Sequence, residues 1–318
     1  MMDMTVILAT YNRREDLMLT LDHLARQDAR GLFQFEVVVA DNNSNDGTSA
    51  AVEVRRAGFP VPLRGIFEPR QGKSYALNTA IASATAEILV FTDDDCRMDE
   101  SWLLTLWQAF QSYGADGIGG PVIADYTGIK PAWFGPELER QAGIVDHGPE
   151  RHRITRMTET LIGPNCAYRR KVFETLGGYD INRLGNSEDA DLFLRAMKAG
   201  FRLWYLPDLK VYNRVDFSRW TKKAFKRRFW NQGRAIAFGV QEEQQGKTFL
   251  RVPLWMVRYV FLLTLQSAYE LIKGDVRQSV WLGLQRYFYL GAIFYCLADC
   301  IQRKPLNRGR PSVLPLKP

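Results

Sequence analysis

Three consecutive aspartates follow a short apolar run in the first third of the chain. Asp93, Asp94 and Asp95 come directly after residues 88–91, and only Thr92 lies between. A β-branched and aromatic run of this kind predicts a buried parallel strand, whose carboxyl end lies at the sheet edge where open α/β folds bind ligands. Carboxylates this close raise one another's pKa unless a cation offsets them, and Mg²⁺ and Mn²⁺ prefer such hard oxygen ligands. The triplet therefore predicts a divalent-metal site; the simpler alternative is a solvated acidic turn that caps a helix beginning near Ser101.

The elements that would position this triplet alternate between strand and helix patterns, as is typical of an α/β fold. Strands are predicted over residues 5–9, 35–40, 63–67 and 88–91, and helices over 13–26, from 48, over 72–84 and over 188–199. Several of these strands end in polar residues at what should be one sheet edge, which predicts a nucleotide-type crevice there. Periodicity fades over 125–157, which predicts a long loop.

Composition indicates an ordinary folded protein that is divided by charge. The chain has 318 residues, of which 46% are hydrophobic and 24% are charged, so a large core is expected. Residues 216–318 carry 18 Lys and Arg against 6 Asp and Glu, whereas the rest of the chain is net acidic. Four cysteines without Cys-x-x-Cys spacing favour a reducing compartment, and the N-terminus lacks a secretory signal pattern. A cytosolic setting is therefore expected.

The last third of the chain predicts basic and apolar helices. Residues 220–233 form a basic pattern interleaved with aromatic side chains, and the apolar stretches 252–272 and 280–301 are each interrupted by two charged residues. Helices lying partly in a bilayer fit this pattern best; a soluble helical cap or a hairpin through the membrane are the alternatives. We expect a boundary between a catalytic domain, 1–217, and a membrane-associating extension, 218–318. Basic tail residues that would favour anionic lipid are Arg303, Lys304, Arg308, Arg310 and Lys317.

Six motifs in order resemble the family 2 glycosyltransferases of the GT-A fold, over roughly residues 4–240. The resemblance implies a Rossmann-like mixed sheet flanked by helices and an inverting transfer from a nucleotide-diphosphate sugar, with a UDP-type donor favoured. The charge and apolarity of the helices after Asp216 separately suggest a lipid-linked or polysaccharide acceptor and work at the cytoplasmic face of the membrane, as a peripheral or monotopic protein. The motifs are VILATYNR at 6–13, VADNNSNDGT at 39–48, GKSYALN at 72–78, FTDDD at 91–95, GPN at 163–165 and SEDADL at 187–192.

The resemblance also implies roles for individual residues. Asp93 would lie toward the ribose and, together with Asp95, would bind the Mg²⁺ or Mn²⁺ that bridges the two phosphates. Asn213 is a candidate third metal ligand, at a position where many relatives carry histidine. The implied donor-binding residues are Thr10, Tyr11, Asn12, Arg13, Asp41, Asn43, Lys73, Asn78, Asp93 and Asp94, and the implied acceptor-side residues are Trp133, Phe134 and Asn165.

Asp189 is implied as the general base. In a direct displacement at the anomeric carbon, a carboxylate must take the acceptor's hydroxyl proton on the face opposite the leaving group. Glu188 would orient the acceptor or the neighbouring helix. The alternative is that Glu188, Asp189 and Asp191 are merely first-turn acids favoured by the helix dipole.

Two other functions are weighed against this one. A nucleic-acid-binding protein would use the basic stretch 219–234, with Phe229 and Trp230 as stacking groups, but this gives no reason for acids at successive strand ends, and no nucleic-acid partner is expected. A sugar-1-phosphate nucleotidyltransferase would use similar metal-diphosphate chemistry. It normally has a glycine-rich basic loop after the first strand, whereas residues 9–13 contain no glycine.

Overall fold

The computed structural model describes residues 2–181, 188–240, 248–249 and 252–302. The described residues form two compact units. The sheet unit comprises residues 1–127, 139–181 and 188–215, and the helical unit comprises 128–138 and the described part of 216–318. The division into a catalytic domain, 1–217, and a membrane-associating extension, 218–318, remains a prediction.

The sheet unit contains the alternating elements. Its strands are β1 (Met4–Thr10), β2 (Phe35–Asp41), β3 (Leu63–Phe67), β4 (Ile88–Phe91), β5 (Cys96–Met98), β6 (Gly117–Gly119), β7 (Val122–Thr127), β8 (His152–Arg153), β9 (Cys166–Arg169), β10 (Leu203–Tyr205) and β11 (Val211–Asp216). Its helices are α1 (Arg14–Ala25), α2 (Thr48–Arg56), α3 (Lys73–Ser83), α4 (Trp102–Tyr113), α5 (Pro136–Gln141, which begins in the helical unit), α6 (Arg170–Leu176) and α7 (Glu188–Lys198).

Eight strands form one mixed sheet in the order β3-β2-β1-β4-β9-β6-β10-β8. The first four are parallel, and their carboxyl ends meet at one edge, since Thr10 pairs with Asp41 and Asp41 pairs with Phe67. β9 is antiparallel to both β4 and β6. This is the mixed α/β sheet that the sequence predicts.

The strands β1, β2 and β4 are buried on both faces, which explains their continuous apolar runs, whereas the edge strand β3 is partly exposed. Along β1, Val6 and Leu8 pack in one core cluster with α1 and α4, whereas Ile7 packs in a second cluster with α3, α6 and α7. This alternation follows from the two-residue period of a strand. The predicted α1 positions Leu17 and Leu21 are both fully buried.

A second, three-stranded sheet in the order β5-β11-β7 holds the acidic turn. The turn links β4 to β5, and β5 pairs with β11. Arg214 on β11 donates its backbone N–H to the carbonyl of Asp95 at 3.0 Å, and the hydroxyl of Thr20 donates to the carbonyl of Asp94 at 3.0 Å. The three acids therefore lie in a fixed connection rather than in a free surface turn.

One sequence prediction needs correction. Residues 125–157 are not a continuous loop, because the end of β7, the helix α5 and the strand β8 all lie within them. These elements have six, six and two residues, too few for either a strand or a helix period to register in the sequence.

The helical unit is built on α8 (Lys222–Val240), α9 (Leu254–Ile272) and α10 (Val276–Gln302), with a small pair of strands, β12 (Thr248–Phe249) and β13 (Val252–Pro253). α10 packs against both other helices. Gly233 allows the closest approach, because a Cβ there would meet the carbonyl oxygen of Phe288 on α10 at 1.8 Å. Within the described ranges, no helix combines the length and the apolarity needed to cross a bilayer. The basic tail residues from Arg303 to Lys317 lie outside the described residues.

Candidate active site

The acidic turn is held by two basic side chains. The Lys73 ammonium lies 2.8 Å from a carboxylate oxygen of Asp93. The Arg13 guanidinium bridges the other two acids, at 2.9 Å from Asp94 and 2.6 Å from Asp95. Lys73 begins α3 and Arg13 immediately precedes α1, so two helix starts converge on the end of β4.

Asp94 and Asp95 hold protons more readily than isolated carboxyls do. Burial raises the pKa of Asp95 to about 7; Arg13 opposes that rise, whereas Asp94 and Asp93 add to it. Burial likewise raises the pKa of Asp94. Burial tends to lower the pKa of Arg13, but the surrounding carboxylates outweigh it and hold the pKa above its ordinary value. The sequence prediction of mutual repulsion is thus matched by the structure, with Arg13 as the offsetting cation.

Arg13 was predicted to bind the donor, and that role remains a prediction. In the structure its guanidinium contacts two acids of the turn. Motif position fixes where its backbone lies, but the nearest strong electrostatic partners decide where a long charged side chain points.

The acids of the turn fit a divalent cation only if substrate phosphates and water supply the remaining ligands. Among the residues that the structure describes, no group of three or more His, Cys, Asp and Glu side chains is arranged to hold a metal ion. Mg²⁺ usually takes one or two protein carboxylates and completes its shell with water and substrate phosphates. Asp93 and Asp95 supply hard carboxylate oxygens, and both side chains are partly exposed, at 24% and 13%. The donor set therefore fits a cation that arrives with a diphosphate.

The third candidate ligand, Asn213, lies on β11 beside the turn, paired in register with Cys96. Its side chain is buried, and its amide NH₂ donates to the carbonyl of Ala142 at 3.2 Å. Its role as a ligand remains a prediction.

The ends of β1 and β2 form the wall beside the turn. Asn12 and Asn43 both have left-handed backbones, with φ of 51° and 67°. Asn12 ties the two strand ends together, because its N–H donates to Ser44 and its side-chain oxygen accepts from the N–H of Asn45. The predicted donor-binding residues Thr10 and Tyr11 lie here too, Thr10 buried and Tyr11 exposed.

Asp41 ends β2 at the same edge, as predicted. One of its carboxylate oxygens accepts the N–H of Ser44 at 2.9 Å, and the other accepts the hydroxyl of Ser49. Both oxygens are therefore already engaged within the loop 41–49.

Two residues that the sequence analysis did not single out hold the loop before α3. Asn42 accepts the N–H of Gly72 at 2.7 Å and donates to the carbonyl of Arg70 at 2.7 Å. Glu68, buried at the end of β3, binds Arg70 through both carboxylate oxygens, and hydrogen bonds from Arg70 and Thr79 lower its pKa to about 2. The polar strand end at Glu68 was the signal that could have identified it. Together these contacts fix where Lys73 starts its helix.

Asn78 has a supporting position. Its amide NH₂ donates to the carbonyl of Tyr179 at 2.8 Å, and its amide oxygen accepts the N–H of Tyr179 at 2.9 Å. The side chain thus fastens α3 to the segment after α6, and its donor-binding role remains a prediction.

Two acids at the start of α7 lie next to Lys73. Its ammonium is 3.6 Å from the carboxylate of Glu188, in addition to its contact with Asp93. Burial acts to lower the pKa of Lys73, but Asp93, Asp189 and Glu188 outweigh it and keep the pKa well above the usual lysine value. Lys73 therefore stays charged and connects the acidic turn to the start of α7. Ser187, which precedes these acids in the motif, lies outside the described residues.

Asp189 is poised to accept a proton. One carboxylate oxygen accepts the N–H of Gly163 at 2.9 Å. The other is buried and has no hydrogen-bond partner among the described residues. Burial raises the pKa of Asp189 to about 7; Lys73 opposes the rise, and Glu188 and Asp93 add to it. A carboxylate with one anchored oxygen, one free oxygen and a pKa near neutrality has the properties of a general base.

The packing around the Asp189 carboxylate requires a glycine at position 163. A Cβ at this position would lie 2.9 Å and 3.0 Å from the two carboxylate oxygens of Asp189. We expect Gly163→Ala to displace Asp189 and to lower turnover about tenfold or more, while nucleotide binding is retained. Steady-state kinetics with a nucleotide titration checks this, and turnover equal to that of the unaltered protein would contradict it.

The three residues predicted on the acceptor side do not share one environment. Asn165 is 1% exposed, and its amide contacts Trp102, Pro121 and Leu209 at 2.6–3.0 Å. These bonds join segments of the core, and the acceptor-side role of Asn165 remains a prediction. Trp133 and Phe134 belong to the helical unit, where they pack in an aromatic cluster with Phe217, Trp220 and Phe225.

Comparison with known proteins bears on what this site does. Residues 5–177, more than half of the chain, match the family model of glycosyl transferase family 2. The succinoglycan biosynthesis protein ExoM of Rhizobium meliloti is 29% identical over 232 residues, which cover 71% of this chain and 72% of that protein. The glycosyltransferase AglE of Haloferax volcanii is 26% identical over 223 residues, 70% of each chain.

Solved structures share the fold. A mannosyltransferase from Pyrobaculum calidifontis, in complex with GDP-Man and Mn²⁺, superposes with a TM-score of 0.56 at 22% identity, covering 95% of this chain and 76% of the other. TarS 1-349 of S. aureus, in complex with UDP-GlcNAc, gives 0.55 at 16% identity, covering 95% and 92%. These likenesses confirm the predicted GT-A fold.

Proposed function

The chain belongs to glycosyl transferase family 2, and from this premise we propose that it moves a sugar from a nucleotide-diphosphate donor to an acceptor hydroxyl with inversion at the anomeric carbon. The protein is a glycosyltransferase; its donor, acceptor, stereochemistry and catalytic residues are what the proposal adds. The observation that carries the proposal is the single chain of contacts from Asp93 through Lys73 to Glu188, with Asp189 alongside.

We assign the donor to the crevice at the carboxyl ends of β1, β2 and β4. Tyr11 offers an exposed ring there, and Asn43 offers an exposed polar side chain for the nucleoside. Asp93 lies at the mouth of the acidic turn, partly exposed, where it is available to the ribose or a cation. UDP-GlcNAc and GDP-Man are bound by the two structural neighbours, which supports a nucleotide sugar as donor.

Asp95 and Asp93 would hold a divalent cation, Mg²⁺ or Mn²⁺, and the presence of Mn²⁺ in a structural neighbour supports this. Such a cation neutralises charge on the departing diphosphate. Arg13 must then share the Asp95 carboxylate with the cation, or shift toward Asp94, which it already contacts at 2.9 Å. Lys73 adds a second positive charge at the same edge, held in place by Asp93.

Asp189 would take the proton of the acceptor hydroxyl. Gly163 holds one oxygen of the carboxylate and so fixes the direction of the free one. As the hydroxyl oxygen forms its bond to the anomeric carbon, its proton passes to Asp189 and the bond to the diphosphate breaks on the opposite face. Glu188 stays near Lys73 and keeps the start of α7 against the acidic turn.

Two relatives support a proposal for the acceptor class. ExoM is described as a succinoglycan biosynthesis protein, and another relative, 28% identical over 116 residues, is a glucosyl-dolichyl phosphate glucuronosyltransferase. A lipid-linked or polysaccharide hydroxyl is therefore the acceptor that we propose.

The direct test is a donor screen. Purified protein is incubated with a panel of UDP-, GDP-, dTDP- and CDP-sugars plus Mn²⁺, and release of nucleoside diphosphate is followed with water or a saccharide as acceptor. We expect one nucleotide sugar to be consumed and the release to stop in EDTA. If no donor is consumed while a nucleoside triphosphate and a sugar phosphate yield pyrophosphate, the transferase proposal fails in favour of nucleotidyl transfer.

A pH dependence follows from the raised pKa of Asp189. The base acts only when ionised, so the fraction of active enzyme falls as the pH drops through about 7. We expect kcat/KM to decline about tenfold per pH unit on the acid side and to level off on the alkaline side. A pH–rate profile of nucleotide release checks this, with Asp189→Asn as the variant that should lose the inflection. A profile that stays level well into the acid range would contradict it.

A further inference from the structure

One face of helix α9 carries large apolar side chains that nothing in the described part of the chain covers. Six positions fall at intervals of three or four residues, which average the 3.6 residues of an α-helical turn. They therefore form one straight stripe along the helix. The apolar stripe consists of Leu254, Val257, Phe261, Leu265, Ala268 and Ile272, all exposed, with Phe261 at 62% and Ile272 at 85%.

The rest of α9 shows that this exposure is not simply the solvent side of an ordinary amphipathic helix. Met256 and Leu263 are buried on the face that meets α10, where Ser267 and Ser279 exchange hydrogen bonds at 2.8 Å. By helical spacing Arg258 lies at the edge of the stripe, seven residues before Leu265, whereas Glu270 lies beside the covered face, seven residues after Leu263. The helix thus has a covered apolar face, a mixed face, and a second apolar face that is uncovered.

Large contiguous apolar patches are rare on monomeric soluble proteins and mark interaction sites, so we ask what the stripe binds. The charge around the stripe indicates which kind of partner binds it. Residues 216–318 carry 18 Lys and Arg against 6 Asp and Glu, and exposed cations include Lys222, Lys226, Arg258 and Lys273. A second copy would bring the same positive charge and repel. A nucleic acid would match the charge but offers no apolar surface for the stripe.

An anionic lipid surface matches both features. Apolar side chains enter the boundary between headgroups and acyl chains, and cations on the flanking face meet anionic headgroups. Aromatic residues that favour this boundary lie beside the stripe: Trp255, Tyr259 and Tyr269 are all exposed, and the Lys273 ammonium lies 4.4 Å from the centre of the Tyr269 ring.

We propose that the apolar stripe of α9 is a membrane-docking surface that inserts into the interface of an anionic bilayer. The inference concerns the helical unit alone and does not depend on the donor site. It also supplies a reason for a lipid-linked acceptor, since docking would concentrate the enzyme where such an acceptor resides.

The test is flotation of the full chain with vesicles of phosphatidylcholine alone or of phosphatidylcholine and phosphatidylglycerol in equal parts. The variant Phe261→Gln/Leu265→Gln places two polar side chains on the stripe without touching the face that packs on α10. The matched control is Leu19→Gln/Val54→Gln, which changes two exposed apolar residues on α1 and α2, at 53% and 79% exposure.

The unaltered protein should float with the anionic vesicles, at least about tenfold more strongly than with the neutral ones. The stripe variant should bind about a hundredfold more weakly, and the control should bind like the unaltered protein. All three should unfold at the same temperature and bind nucleotide alike. If the double variant unfolds early, Ile272→Gln at the exposed end of the stripe takes its place.

Undiminished vesicle binding by the stripe variant would overturn the proposal, as would failure of the unaltered protein to bind. A dimer in light scattering that the stripe variant converts to monomer would assign the stripe to a second copy instead. If the unaltered protein binds vesicles but no nucleotide, the proposed donor site is wrong and the proposed docking surface is still supported.

Discussion

Replacing Asp189 with asparagine should reduce sugar transfer by about 10²–10⁴-fold while leaving donor binding nearly unchanged. The amide keeps the size of the side chain and can still accept the N–H of Gly163, which contacts Asp189 at 2.9 Å. What it loses is the capacity to take a proton, for which the native carboxyl has a pKa of about 7 and one unpartnered oxygen among the described residues. Turnover by stopped assay and nucleotide affinity by calorimetry measure the two effects separately.

The matched control is Asp191→Asn, two residues further along the first turn of α7. Asp191 contacts Arg195 at 2.7 Å within the same helix. If these acids only favour the helix dipole, both variants should lose similar stability and little activity. If Asp189 is the base, only Asp189→Asn should lose turnover. Equal turnover in the two variants would remove Asp189 from the mechanism.

Replacing Asp95 with asparagine should weaken metal-dependent donor binding, lowering the affinity by about a hundredfold or more. The change removes a charged ligand, and the carboxylate of the neighbouring Asp94 is already held by Arg13. Arg13 keeps its contact with Asp94 at 2.9 Å, and the turn keeps its backbone bond from Arg214 to the carbonyl of residue 95. The fold of the turn should therefore survive.

Calorimetric titration of the nucleotide, with Mn²⁺ and with EDTA, distinguishes a loss of metal-dependent affinity from a loss of nucleotide affinity under both conditions. In the unaltered protein the affinity should depend strongly on metal, and in Asp95→Asn the two conditions should converge. Asp99→Asn changes an exposed acid four residues later and serves as the control. A variant that keeps full metal dependence would place the cation elsewhere.

The parts of the fold that the sequence predicted are those with strong local signals. β1, β2 and β4 are continuous apolar runs, and each is buried because helices cover both faces of a parallel sheet. The polar residues at their ends, such as Asp41, lie at one edge as a direct consequence. β8 and α5 were missed because elements of two and six residues leave no measurable period.

The sequence pointed to individual candidate residues at strand ends and helix starts, but not to how their side chains contact one another. Sequence spacing cannot show that Lys73 reaches Asp93 and Glu188, since these contacts join residues 20 and 115 positions apart. Nor does it show that the N–H of Gly163 anchors Asp189, which depends on how a short turn packs against α7.

Asparagines show the same limit most clearly. Asn165 and Asn42 look alike as polar residues within motifs. The amide of Asn165 donates to two backbone carbonyls within the core. The amide oxygen of Asn42 instead accepts the N–H of Gly72 and so holds the loop before Lys73. An amide has donors and acceptors for either task, and only the positions of neighbouring backbone groups decide which it performs.

The most direct test of the central claim, a metal-dependent nucleotide-sugar crevice at the carboxyl ends of β1, β2 and β4, is a calorimetric titration of UDP, GDP, dTDP and CDP, each with Mn²⁺ and with EDTA. The account predicts that one nucleotide binds selectively, that its binding collapses in EDTA, and that Asp189→Asn binds it as tightly as the unaltered protein. Absence of binding by every nucleotide in both conditions would contradict the donor crevice, and with it the roles given to the acidic turn and Lys73.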